Sequence, residues 1–121
     1  MADYLPLYKP GQAITSQASA DIAGGQAVQV SGSGTVAPAT AATQLIVGVA
    51  AFDAKSGEKV TFFGRGTVHR LLATGTVTAA QVVEAAAAGS VATHTQGTND
   101  VRVFGVALTT ATDASVEIME V

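Results

Sequence analysis

From Ala27 onward the chain alternates, with Ala27 and Gln29 set against Val28 and Val30. The same two-residue period returns at Val60 and Phe62, in TVHRLL at 67–72, in VRVFGVAL at 101–108 and in SVEIMEV at 115–121. A period of two sends successive side chains to opposite faces of an extended strand, so each run is read as a half-buried β-strand. In the last run Val116, Ile118 and Glu120 share one face, and Glu117, Met119 and Val121 share the other. GSG at 32–34, DAKSGEK at 53–59, GRG at 64–66 and TTATDAS at 109–115 separate the runs, and small polar or glycine-bearing stretches of this kind make turns. About ten short strands in 121 residues leave room for a compact barrel or sandwich.

The strands come as a repeat. GGQAVQVSGSGTVAP at 24–38 and AAQVVEAAAAGSVAT at 79–93 align at an offset of 55, matching Gln26 with Gln81, Val28 with Val83, Gly34 with Gly89 and Val36 with Val91. VGVAAFDAKSGEKVTFF at 47–63 and FGVALTTATDASVEIME at 104–120 then place Gly48, Val49 and Ala50 over Gly105, Val106 and Ala107, an offset of 57. Copy two thus has two extra residues in the intervening loop and loses one in the turn that follows. The repeat also decides how TAAQVVEAAAAG at 78–89 is read, because on propensity alone this stretch is a helix. Its counterpart carries four glycines and a period of two, so residues 82–86 are expected to form a strand with Gly89 at the turn. The organisation expected is one all-β domain over 21–121, built from repeats at about 24–72 and about 79–121, after an extended N-terminal arm at 1–20.

The arm differs in kind from the repeat. Tyr4, Leu5, Leu7 and Tyr8 sit around Pro6 and Pro10, and proline disfavours both a regular helix and a central strand. A segment so apolar either caps its own barrel or lies on a partner. Apolar residues make up 48% of the chain but aromatics only 5%, so the core is expected to be thin and made mainly of Ala and Val. A length of 121 residues is taken to supply a single core. Nine carboxylates against six Lys and Arg give a net charge of −3, and no basic patch calls for nucleic acid. With no cysteine, thiolate zinc sites, disulfides and thiol nucleophiles are excluded. The first residues lack a basic leader and no run reaches the ~20 apolar residues of a membrane span, so a soluble, unprocessed chain is expected.

Candidate chemistry is sparse, and no enzyme activity, metal or cofactor is expected. His69 alternates with Val68 and Arg70 as a sheet-face residue, and His94 closes a strand beside a Gly/Thr loop, where a solvated side chain is expected. Asp53, Glu58, Asp100 and Asp113 lie in or beside turns, where carboxylates bind nearby backbone N–H groups. DAKSGE offers only Asp53, Ser56 and Glu58 toward a calcium loop, too few oxygens at the required spacing. The glycine sets lack the lysine and following helix of a phosphate loop, and no G-x-S-x-G elbow occurs.

A Gly-Gln-x-Val strand, a G-[TS]-V-A strand, a G-V-A strand, an acidic turn and a closing V-x-[FI] strand, given twice in degenerate form, resemble the small capsid decoration (cement) proteins of tailed phages. The resemblance covers about Gly11 to Val121. It implies a β-barrel or β-tulip-like domain that sits as a homotrimer on the outer surface of the virion, bound to the major capsid protein after assembly in the host cytoplasm. It also implies that the arm lies on the shell, which makes Tyr4, Leu5, Pro6, Leu7 and Tyr8 the capsid-contact candidates. Nucleic acid and membrane are not among the implied partners. Other structural roles are a phage tail or fibre component and a bacterial surface adhesin, though an adhesin would usually bring a signal peptide. A carbohydrate-binding sandwich would expose aromatic platforms, whereas Phe52, Phe62, Phe63 and Phe104 are the only aromatics expected in the barrel.

Overall fold

The computed structural model describes residue 7 and residues 13–43, 45–95, 97 and 100–121. Among these, five strands form a first unit: β1 (Ala13–Ala18), β2 (Ala27–Gly32), β3 (Thr35–Pro38), β4 (Ile46–Ala50) and β5 (Lys59–Phe63). They run in the order β1-β3-β2-β4-β5 and close into a barrel, because β5 pairs back onto β1 over five residue pairs from Ala13 with Phe63 to Gln17 with Lys59. The second unit holds β6 (Val68–Leu72), β7 (Thr76–Val77), β8 (Val82–Ala85), β9 (Val91–Thr93), β10 (Gly105–Ala107), β11 (Ala111–Thr112) and β12 (Ser115–Glu120). Its main sheet runs β6-β12-β10-β8-β9, which is the first barrel's order carried over strand by strand. The two edges of this sheet meet through a parallel bridge between Ala73 and Val91, where the first barrel pairs Ala18 with Val36.

The correspondence extends to register. Val28 faces Gly48 in the first unit and Val83 faces Gly105 in the second; Ile14 faces Phe62, and His69 faces Ile118. Even the isolated bridge from Ile22 to Ala54 has its counterpart, in the pairing of Val77 with Ala111. Gly48 and Gly105 are required at their positions, since a Cβ on Gly48 would overlap the Phe63 carbonyl oxygen and one on Gly105 that of Met119. The stretch at 82–85 is a strand, as the repeat predicts, because pairing with β9 on one side and β10 on the other outweighs its helical propensity.

Three expectations about elements need correction, the first being the run at 101–108, of which Gly105–Ala107 alone is a strand while Asp100–Arg102 makes a 3₁₀ turn. Residues 13–18, placed with the arm, form a barrel strand, and residues 68–72, grouped with the first repeat, pair with β12 inside the second unit. The interior is also divided. One cluster joins Ile22, Val28, Val36, Val60 and Phe62 within the first barrel, and another joins Leu71, Val77, Val83, Val91, Val116 and Ile118 within the second. Each barrel closes around its own contents, so a chain of this length fills two small cores rather than one. Val28, Val60, Val83 and Val116 are fully buried, each worth about 1.5–3 kcal/mol by removal from water. Of the four phenylalanines only Phe62 and Phe104 are interior, while Phe52 and Phe63 are exposed.

The barrels meet at an alanine seam of Ala27, Ala39 and Ala85, with Ile46 packed against it, and Val49 of the first barrel enters the core of the second. Alanines permit backbone-to-backbone approach. Ala42 N–H donates to Ala85 O at 2.8 Å, Gly89 N–H to Ala39 O at 3.0 Å, and Gln26 Nε2 to Ala88 O at 3.0 Å. Gly89, in the 3₁₀ turn Ala87–Gly89, is indispensable there: a Cβ would lie 2.7 Å from the Gln26 Cβ.

Candidate functional site

Both histidines lie in the second barrel, and both are buried. His69 on β6 points inward, its Nε2 3.1 Å from Oε1 of Glu120 on β12, which is itself only 3% exposed. The first barrel has Ile14 and Gly64 at these positions. Glu120 also borders a small cavity of about 30 Å³ beside Arg65 and Arg102, whose Nε is buried without a partner among the described residues. That volume is enough for one water.

His94, expected in solvent, is 4% exposed. Its Nε2 lies 3.0 Å from Asp100 Oδ1 and its Nδ1 3.3 Å from Glu84 Oε1. Only an imidazolium can donate to both carboxylates. The Asp100 hydrogen bond, helped by the bond to Glu84 and by both carboxylate charges, therefore raises the His94 pKa above the ordinary imidazole value against the opposing effect of burial. Asp100 is lowered in turn, first by the His94 bond and then by the Gly97 N–H that donates to it at 2.9 Å. The sequence could not show this arrangement, because Glu84 and Asp100 reach His94 only after β8, β9 and the loop before β10 have folded together. Neither histidine hydrogen-bonds a hydroxyl among the described residues.

The turn carboxylates bind backbone as the sequence suggests. Asp53 accepts from Gly24 N–H at 2.8 Å, Glu58 from Lys55 N–H at 2.7 Å, and Asp113 from Gly75 N–H at 2.8 Å. Asp53, Lys55, Glu58 and Asp21 rim an open groove of about 340 Å³ floored by Ile22 and Ala54. Among the described residues no group of three or more His, Cys, Asp or Glu is arranged to hold a metal ion.

The outward face of β6 and β12 is apolar at its ends. Val68 and Met119 are direct cross-strand partners, both exposed, with Leu72 and Val121 exposed on the same face and the cross-strand pair Arg70 and Glu117 between them. The first barrel repeats part of this pattern at Phe63, which pairs with Ala13 at the start of β1. Of the arm candidates, Tyr4, Leu5, Pro6 and Tyr8 lie outside the described residues, and Leu7 is 93% exposed.

The fold is shared with the crystal structure of the N base of head fiber gp8.5 of bacteriophage phi29. The TM-score is 0.72 and the identity 15%, over 91% of this chain and 93% of that one. No curated protein sequence matches the chain. The family model for phage cement proteins matches residues 8–121, the whole double barrel and the residues just before it. The chain belongs to the phage cement protein family.

Proposed function

We propose that this protein is a non-enzymatic structural component of a phage head, binding the outer surface of the shell as a homotrimer and stabilising it. Beyond family membership, the observation that carries the reading is the outward ladder of β6 and β12, where Val68, Leu72, Met119 and Val121 stay in solvent although the chain has two cores in which to bury apolar groups. Val68, Met119 and Val121 adjoin one another at one end of this face, and a cluster of exposed apolar side chains marks a contact surface. In sequence the arm candidates Tyr4, Leu5, Leu7 and Tyr8 precede Ala13, which lies opposite the exposed Phe63, a second apolar spot. Docking asks for shape and repetition rather than reactive groups, and linkage in a trimer raises the effective concentration of the remaining contacts once one has formed.

The test is co-sedimentation with undecorated, expanded heads of the same phage. The intact chain is expected to bind, and deletion of residues 1–10 to weaken binding at least about tenfold, or 1.4 kcal/mol, with little change in melting temperature. Parallel loss of binding and stability would return the arm to capping its own barrel, and no binding by the intact chain would remove the reading. The likeness to a head-fibre base favours a second reading, the foot of a longer projection. Cryo-electron microscopy of decorated heads separates the two, since density either ends at the double barrel or continues outward.

A further inference from the structure

The seam between the barrels is built from unlike surfaces. The first barrel contributes Gln26, Ala27, Ala39 and Ala42; the second contributes Ala85, Ala88 and Gly89. Two equivalent modules joined through unlike surfaces are joined head to tail, and each end of such an array keeps one half of the joint unused. The repeat identifies both unused halves. On the second barrel Gln81, Val82 and His94 stand where Gln26, Ala27 and Ala39 stand on the first. On the first barrel Val30, Ser33 and Gly34 stand where Ala85, Ala88 and Gly89 stand on the second.

On the inserting half exposure follows that division, whereas on the receiving half only Gln81 is exposed and His94 is buried like Ala39. Ala85 is 3% exposed and its counterpart Val30 45%, while Gly89 is buried and Gly34 exposed. Gly34 and Gly89 hold the same φ, 72° and 73°, but Ala88 is also left-handed at 56° and its counterpart Ser33 is not, so the 33–34 turn has to change at Ser33 to make this joint. Gln81 is held ready. Its Oε1 accepts the Thr78 N–H at 3.1 Å just as Gln26 Oε1 accepts the Ala23 N–H at 2.9 Å. Gln26 Nε2 then donates across the seam to Ala88 O, whereas Gln81 Nε2 has no acceptor among the described residues. The backbone oxygen of His94 is the counterpart of the Ala39 oxygen that receives Gly89 N–H, so that bond does not depend on the side chain.

We infer that Gln81, Val82 and the His94 backbone receive Val30 and the 33–34 turn of a second copy, in the same sense as the joint each chain makes within itself but at a wider spacing, because Val82 and Val30 stand in place of Ala27 and Ala85. A second copy is the occupant because its own surface is already seated on the equivalent residues inside every chain. The number of copies rests on the homotrimer reading: three chains closing head to tail form a ring of six barrels, and without closure the same contact makes a filament.

Absence of native cysteine makes the test direct. Ser33→Cys and Gln81→Cys chains, mixed and treated with a short bis-maleimide, are expected to cross-link to one another while neither variant cross-links to itself. Val30→Asp, at an exposed position, should lower the cross-link yield at least about tenfold without lowering the melting temperature, since desolvating a carboxylate costs more than 1.4 kcal/mol. Trimers by sedimentation velocity without the mixed cross-link would overturn this joint and leave the homotrimer standing. Cross-linked open polymers would support the joint and remove the trimer, and a monomer that never cross-links would remove both.

Discussion

Ala80 holds φ at 75°, in the left-handed region, at the position where Gly25 holds 88° in the first copy. The Cβ costs about 1–2 kcal/mol in that conformation, against roughly 0.5–1 kcal/mol of extra chain entropy that a glycine would lose on folding. Ala80→Gly is therefore expected to stabilise the protein by about 0.5–1 kcal/mol, read as a higher urea midpoint at unchanged slope. His94 sets a pH dependence whose sign follows from its shift. Because its pKa is raised in the folded state, its contribution is complete below the ordinary imidazole value of 6.5 and is lost as pH rises through the folded value. Asp100 is lowered, so its contribution holds above the ordinary carboxyl value of 3.8 and is lost as pH falls through the folded one. Melting temperature should accordingly decline from mildly acidic to alkaline pH, and His94→Gln should flatten that limb; an unchanged slope in the variant would disprove the assignment. Read from sequence, His94 looks solvated because it closes a strand beside a Gly/Thr loop, and nothing local brings Glu84 and Asp100 onto it.

At the level of elements, the repeat was legible where backbone geometry restricts the choice of residue. Gly48 and Gly105 face the same carbonyl in each barrel, and Gly34 and Gly89 hold the same left-handed φ, so these positions could not diverge. The four glycines and the period of two in the counterpart at 24–34 were enough to read β8 as a strand against its local propensity. β1 and β6 escaped because AITSQA and VHRLLA share only their final alanine, and their places are set by pairing with β5 and β12, which tolerates many side chains. The true repeat consequently begins a strand earlier than the sequence suggests. Gly48→Ala and Gly105→Ala should each destabilise by at least about 1–3 kcal/mol, since the added methyl meets backbone rather than a movable side chain. Thermal melts of the two variants are expected to give similar losses, and a neutral result at either glycine would contradict the shared register.

For the molecule as a whole, the fold class was readable but the count of cores was not. Length and a scarcity of aromatics point to one thin interior, yet closure of five strands about their own axis divides the apolar residues between two interiors, tied together by Val49, Ile46 and the hydrogen-bonded alanine seam. Within the proposed docking surface, alternation in the last strand placed Met119 and Val121 on one face correctly, but their partner Val68 depends on a pairing that no local pattern reveals. The position of β1 has a mechanical consequence. It is gripped by β3 on one side and by five registered pairs with β5 on the other, and the arm continues directly from its first residue. Tension drawn along the strand loads those ladder bonds simultaneously, in shear, whereas tension drawn across the sheet peels them singly from Ala13. A load applied through the chain before β1 would thus be borne strongly in one direction of pull and weakly in the other.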